Sequence, residues 1–308
     1  MRMSFTRTDV EFISHGERCV AWLYRPDTVE RPPLVIMAHG FGALRTFRME
    51  PFAEKFVNQG ISVLMFDYRG FGDSEGYPRN LISPKKHIQD WHSAIAYARR
   101  IRWIDQSKIG LWGSSYSGGH VLCVAAEEPG IAAIVIQVPF VNGLSSSLNM
   151  RKVLGWGFIG MATAAVLRDL WRMVTFRSPY YIPGFGKPGE TAILSTPECY
   201  DGVMSLVPPA NVDWDMTTPA RAMLSLILYY PSTRARKVTC PALVIAGERD
   251  SLIPFEFVKK TVARMPDARL ISLPCGHFDP YVGDTFETVS DHETRFFREH
   301  LSAPAERH

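Results

Sequence analysis

The chain has 308 residues, enough for one large domain or two small ones and for a full hydrophobic core. Lys and Arg number 34 against 31 Asp and Glu, and the formal net charge is +3. With no basic run interleaved with aromatics, that balance excludes nucleic acid as the expected partner.

The five cysteines, Cys19, Cys123, Cys199, Cys240 and Cys275, are scattered and contain no C-x-x-C pair. Neither a disulfide framework nor a cysteine zinc site fits that spacing, so reduced thiols in a cytoplasmic protein are expected. The opening run from Met1 to Arg7 lacks the apolar segment of a signal peptide. The longest apolar stretch, Gly155 to Leu167, stops at Arg168-Asp169, well short of the about 20 residues a membrane span needs.

In chain order, Val10 to Tyr24 reads as an antiparallel hairpin at a sheet's leading edge, with Cys19, Ala21 and Leu23 alternating. Leu34 to Ala38 has the continuous apolar pattern of a buried strand. Pro51 to Gln59 reads as a helix that Gly60 ends, and Ile61 to Phe66 as the next strand. Ser83 or Pro84 opens a longer helix, Lys85 to Arg100, whose Ile88, Trp91, Ile95 and Ala98 share one face. Lys108 to Trp112 is a strand, Ser117 to Ala126 a helix and Ile131 to Gln137 a strand.

After Pro139 this alternation lapses. It resumes with strand Cys240 to Ala246, helix Phe255 to Arg264, strand Arg269 to Leu273 and helix Thr285 to Leu301. Strand–helix alternation implies an α/β architecture, a mostly parallel sheet flanked by helices. The interruption, Val141 to Lys237, carries Trp156, Phe158, Trp171, Phe176, Tyr180, Tyr181 and Phe185. It is expected to form a mostly helical cap (141–237) over a core of residues 1–140 and 238–308, since it departs from the carboxyl edge of the sheet, where open α/β folds place ligands. The alternative is a peripheral helical subdomain that only adds core.

The run Leu111-Trp112-Gly113-Ser114-Ser115-Tyr116-Ser117-Gly118-Gly119-His120 follows a strand and opens a helix, the context of a nucleophile elbow. Positions two before and two after the nucleophile nearly touch in so tight a turn, so both must be small. Ser114 would place Trp112 at minus two. Ser115 places Gly113 and Ser117 there; Ser117 places Ser115 and Gly119. Because the elbow should follow directly on the strand, Ser115 is preferred, with Ser117 the rival. The pattern is G-x-S-x-S rather than strict G-x-S-x-G. A Ser/Gly-rich helix cap without chemistry is the plain alternative, and the lack of a following Lys excludes a P-loop.

These motifs give the chain a clear resemblance. Together with His39-Gly40-Phe41-Gly42, Asp67-Tyr68-Arg69-Gly70-Phe71-Gly72-Asp73-Ser74, Gly247-Glu248-Arg249-Asp250 and Cys275-Gly276-His277-Phe278, the elbow resembles the α/β-hydrolase superfamily. The likeness is to the serine-using relatives of dienelactone hydrolases and to acetyl esterases, and it covers nearly everything but the insertion. Dienelactone hydrolases proper use a cysteine, which the elbow lacks.

In this fold the order is Ser, acid, His. Of nine histidines, only His277 sits in a loop after a late strand. His39 precedes the serine; His15, His87 and His92 lie upstream; His120 is on the helix behind the elbow; His292, His300 and His308 are on the last helix or tail. Asp250, on the loop after the preceding strand, is the expected acid, with Glu248, Asp279 and Asp284 as rivals and a helix N-cap as its plainer role. One oxyanion donor is expected from the N–H of Tyr116, the residue after the nucleophile; the resemblance implies the N–H of Phe41 as the second. The Asp67–Ser74 segment is expected to be structural, with Arg69 paired to a carboxylate.

The expected reaction is hydrolysis of a carboxylic ester through an acyl-enzyme, with Ser115 as nucleophile, His277 as base and Asp250 as acid. The apolar insertion suggests a small-molecule acyl substrate of medium to large size. A thioester, a lactone or transfer to another acceptor fits the same machinery. Arg151, Arg168, Arg172 and Arg177 could meet an anionic group, although solvation is their commoner role. No cofactor or metal is implied: no metal-ligand cluster is present, and Gly70-x-Gly72 lacks the rest of a dinucleotide fingerprint. Only about 30 residues precede the first core strand, which speaks against prolyl-oligopeptidase-type peptidases. A homo-oligomer is left open, as is a catalytically silent α/β hydrolase serving as a ligand receptor.

Overall fold

In the computed structural model, which describes residues 3–211 and 214–301, the apolar runs become the interior strands of one eight-stranded sheet. His308 and the first two residues lie outside the described residues. The elements in chain order are β1 (Phe5–Ser14), β2 (Glu17–Pro26), β3 (Leu34–Ala38), α1 (Glu50–Val57), β4 (Ser62–Phe66), α2 (Pro84–Ala98), β5 (Ile109–Ser114), α3 (Tyr116–Ala125) and β6 (Ile131–Gln137). There follow α4 (Gly143–Val174), β7 (Tyr181–Pro183), α5 (Cys199–Met204), β8 (Thr217–Pro219) and α6 (Ala222–Ile227). The chain closes with β9 (Ala242–Gly247), α7 (Phe255–Val262), β10 (Ala268–Leu273) and α8 (Gly283–Leu301).

The strand order is β1-β2-β4-β3-β5-β6-β9-β10. Only β1 with β2 and β2 with β4 pair antiparallel; the remaining neighbours are parallel. The leading hairpin is longer than its alternation predicts, and its two turn residues, His15 and Gly16, both have positive φ (49° and 87°), as a two-residue hairpin turn requires. Every residue of β3, β4, β5 and β9 is buried, which explains why these strands read as continuous rather than alternating apolar runs: helices cover both faces. On these strands α1 packs against α8, and α2 against α3.

Element boundaries shift by a residue or two from expectation, and one shift matters. Strand β5 continues through Ser114 and α3 begins at Tyr116, so Ser115 alone makes the turn. The Asp67–Ser74 segment is tied down as expected: the buried Arg69 pairs with the buried Asp90 through its Nε, and Asp67 pairs with Arg45. All five cysteines are free and buried.

Between β6 and β9 the chain leaves the sheet. Residues 141–237 are mostly helical, but they also contain the short antiparallel pair β7–β8, which no alternation in the sequence announces. Helix α4 is broken at Gly155, whose φ of 79° lies in the left-handed region glycine tolerates. Among the described residues no helix is long and apolar enough to cross a membrane, and no cluster of three His, Cys, Asp or Glu could hold a metal.

One buried charge site couples sheet stability to pH. Trp112 on β5 donates its Nε1–H to Glu293 on α8 at 2.9 Å, both residues fully buried. Burial pushes the Glu293 carboxyl up to about 8, only partly offset by that hydrogen bond. The folded state therefore keeps a proton that the unfolded chain releases near 4.5, and stability present below that pH is lost as pH rises towards 8. Glu293→Gln should flatten this dependence. Thermal unfolding is expected to show a gain in Tm over the parent that is larger at pH 8 than at pH 5.

Candidate active site

Ser115 turns the chain at φ 55°, ψ −120°, a region sparsely populated by residues with a side chain. Its backbone is gripped on both sides. The N–H donates to the Gln137 carbonyl at 2.8 Å, and its carbonyl accepts from the N–H groups of Gly118 (3.0 Å) and Phe140 (2.9 Å). Gly113 is obligatory here, because a Cβ would lie 2.6 Å from the Ser117 carbonyl oxygen. Gly40 also comes close, its absent Cβ only 3.1 Å from that of Ser115.

The two neighbouring serines are occupied elsewhere. Ser114 Oγ is buried against the Tyr281 hydroxyl at 2.5 Å, and Ser117 Oγ shares a 2.8 Å hydrogen bond with the Tyr68 hydroxyl deep behind the turn. Of the three, Ser115 alone lines the large cavity above the sheet.

His277 lies in the loop after β10, with Nε2 2.9 Å from Ser115 Oγ and Nδ1 2.6 Å from Asp250 Oδ2. A carboxylate only accepts, so Nδ1 carries the proton and donates to Asp250, leaving the Nε2 lone pair to accept from the serine hydroxyl. The other carboxylate oxygen of Asp250 accepts the N–H groups of Leu252 and Ile253, each at 2.8 Å. Its plainer role, capping the turn before α7, and its link to His277 thus coexist on different oxygens. Of the rival carboxylates, Asp279 accepts the Gly276 N–H at 2.7 Å, while among the described residues neither Glu248 nor Asp284 is hydrogen-bonded to His277.

Burial penalises the His277 imidazolium, but the Asp250 charge and hydrogen bond, with a further contribution from the Glu198 charge, outweigh it. The pKa ends above the ordinary histidine value of 6.5.

Phe41 and Tyr116 both line the cavity beside Ser115. The Tyr116 N–H is the first amide of α3, where no intrahelical acceptor exists. Among the described residues neither this N–H nor that of Phe41 donates to a backbone carbonyl. The loop that carries Phe41 is anchored by Asp67, which accepts the Arg45 N–H at 2.7 Å and pairs with the Arg45 guanidinium.

The cavity has a volume of about 330 Å³ and is lined mainly by apolar side chains, including Phe158, Ile159, Ala162, Val166 and Leu170 of α4 and Leu226 of α6. Its polar side chains are Ser115, His277, Tyr116 and three further hydroxyl residues, Ser146, Ser147 and Thr163; among the described residues no Asp, Glu, Lys or Arg lines it. Arg151, Arg168, Arg172 and Arg177 lie elsewhere: three sit over the rings of Trp156, Tyr180 and Trp171, and Arg172 donates to the Ser178 carbonyl.

Sequence reasoning missed Glu198. One of its carboxylate oxygens accepts from the N–H (2.8 Å) and Oγ–H (2.5 Å) of Ser251, next to Asp250; the other accepts the His277 N–H at 3.1 Å. No periodicity or motif marks this residue, which stands in an irregular stretch of the insertion.

The comparisons with known proteins agree with this fold. Residues 15–173 match the family described as X-Pro dipeptidyl-peptidase (S15 family). The chain is 37% identical to the quorum-quenching protein AidA of Acinetobacter baumannii over 94% of each chain. It is 24% identical to the polyketide transferase GrgF of a Penicillium species over 96% of this chain and 97% of that one. Among solved structures, that of DcsB in complex with its substrate analogue superposes with a TM-score of 0.82 at 24% identity, covering 97% of this chain and 100% of the other.

The electrostatics of the imidazole can be read directly. Followed by its ring-proton chemical shifts, His277 should titrate with a midpoint above 6.5. Asp250→Asn, which removes the charge and leaves burial unopposed by it, should move the midpoint down.

Proposed function

The chain belongs to the α/β-hydrolase superfamily, within the family described as X-Pro dipeptidyl-peptidase (S15 family), and on that footing we propose that it hydrolyses carboxylic esters of medium-to-large apolar substrates through an acyl-enzyme on Ser115. The observation that carries the reading is His277 bridging the Ser115 hydroxyl and the Asp250 carboxylate.

As Ser115 Oγ attacks the ester carbonyl carbon, its proton passes to His277 Nε2 and the carbonyl π electrons move onto oxygen. Asp250 holds the imidazole in the tautomer able to accept that proton and stabilises the imidazolium. The N–H groups of Phe41 and Tyr116 receive the developing charge, a contribution of about 10²–10³ in rate for such a donor. Collapse of the tetrahedral species breaks the bond to the alcohol oxygen, which takes the proton from Nε2. Water, deprotonated by His277, then repeats the sequence and frees the acid.

The apolar lining supports a substrate with a hydrocarbon-rich acyl or alcohol part, and residues 141–237 supply much of it as a cap. Among the described residues the lining offers no acidic group to hold the free amino terminus that a dipeptidyl-peptidase substrate presents. The five free, buried cysteines favour a reducing, cytoplasmic setting. A second reading, acyl transfer from the same Ser115 to an alcohol or amine, is favoured by the similarity to a polyketide transferase and by the shortage of polar groups to hold water in the cavity.

A fluorophosphonate probe should label the protein, and Ser115→Ala should abolish both labelling and turnover, whereas Ser117→Ala, away from the cavity, should still be labelled. An unlabelled parent would favour the silent receptor. On a series of p-nitrophenyl esters, kcat/KM should rise from acetate towards longer acyl chains; activity confined to acetate would refute the acyl-pocket reading. Added alcohol yielding a new ester faster than free acid would decide for transfer.

A further inference from the structure

We infer that Glu198 is a positioning residue that clamps the loops of Asp250 and His277 to the insertion, so that the hydrogen-bonded chain to Ser115 is aligned only while residues 195–202 are seated. The inference rests on the acyl-enzyme reading of Ser115, His277 and Asp250.

Ser251 is the hub of this clamp. It separates Asp250 from Leu252, whose N–H is one of the two donors that orient the Asp250 carboxylate. All the polar groups of Ser251 are held by the insertion. Glu198 accepts from its N–H and Oγ–H, Thr196 Oγ1 lies 2.8 Å from its Oγ, and Asn149 Nδ2 of α4 donates to its carbonyl at 2.6 Å. The second oxygen of Glu198 takes the backbone N–H of His277 itself. One carboxylate therefore bridges two loops that are 27 residues apart in the chain and that meet through the 2.6 Å His277–Asp250 bond.

Two glycines clear the way for this approach. A Cβ at Gly276 would lie 2.5 Å from Glu198 Oε2, and one at Gly202 of α5 would overlap the Phe278 ring. The chemistry suits a carboxylate in particular. Three donors converge on it, and an amide, with one accepting oxygen and one donating nitrogen, cannot satisfy both loops. The Glu198 charge also adds to the forces that hold the His277 pKa up.

The test uses the full chain, with active sites counted by fluorophosphonate burst so that only folded, reactive protein enters kcat. Glu198→Gln is expected to lower kcat by about ten- to a hundredfold, as for a small misplacement of a general base, with KM changed by less than about threefold. The acid limb of kcat/KM should move to lower pH, a shift that a merely structural role would not produce. Gly276→Ala keeps the charge but displaces the carboxylate, and should show the same fall in kcat; it decides the matter if Glu198→Gln is recovered unfolded. A titrated variant with parental kcat and an unmoved acid limb overturns the inference. Ser115→Ala, with turnover taken per total folded protein, separates the two levels: parental turnover there refutes the acyl-enzyme reading, whereas its loss beside an unaffected Glu198→Gln refutes only the role of Glu198.

Discussion

The backbone of Ser115 occupies a conformation that a residue with a side chain holds only when its surroundings over-determine it, at a cost of about 1–3 kcal/mol. The surroundings are specific. Parallel pairing of β5 with β6 puts the Gln137 carbonyl against the Ser115 N–H, and the Phe140 N–H, just past β6, returns to the Ser115 carbonyl. Gly113, inside β5, lets α3 fold back within 2.6 Å of where a Cβ would be. The sheet is therefore more than a scaffold. Its register is what forces the hydroxyl out of the interior towards the imidazole.

The same constraint explains which parts of the protein were legible in the residues. Buried parallel strands demand continuous apolar runs, so β3, β4, β5 and β9 stood out, and the requirement for small residues around the turn separated Ser115 from Ser114. Sterics alone left Ser117 open; its hydroxyl is engaged by Tyr68, 49 residues away, and no local pattern encodes that pairing. The β7–β8 pair and Glu198 were illegible for a related reason. Strands of three residues carry too little alternation to register, and the role of Glu198 exists only through contacts 53 and 79 residues distant in sequence.

Histidine chemistry shows how far residue type alone falls short. Burial lowers the pKa of His87 and of His120, which meet edge-on behind the elbow with His87 Nδ1 3.2 Å from His120 Nε2 and, among the described residues, no carboxylate hydrogen-bonded to either ring. His277 is equally enclosed, yet its pKa rises, because Asp250 lies 2.6 Å from Nδ1 and Glu198 touches its backbone. Desolvation acts on all three; the carboxylates reverse its sign at one. A buried imidazole becomes a usable base near neutral pH only where the fold supplies the opposite charge together with a proton donor to serve.

The insertion joins recognition to this chemistry by a simple economy of chain. Helices α4 and α6 wall the cavity with apolar side chains, while Asn149 and Glu198, from the same segment, hold the loops that carry Asp250 and His277. Apolar walls bind an acyl chain about equally in the ground and transition states, so they contribute affinity without rate. Hydrogen bonds that fix the imidazole act only on the reacting end. One continuous stretch of polypeptide makes both sets of contacts, so the proposed clamp on Ser251 and His277 shares its segment with the walls of the cavity. On the clamp proposed above, a substrate long enough to fill the cavity would favour the seated arrangement, so that part of its remote binding energy, otherwise affinity alone, would go into alignment at the serine.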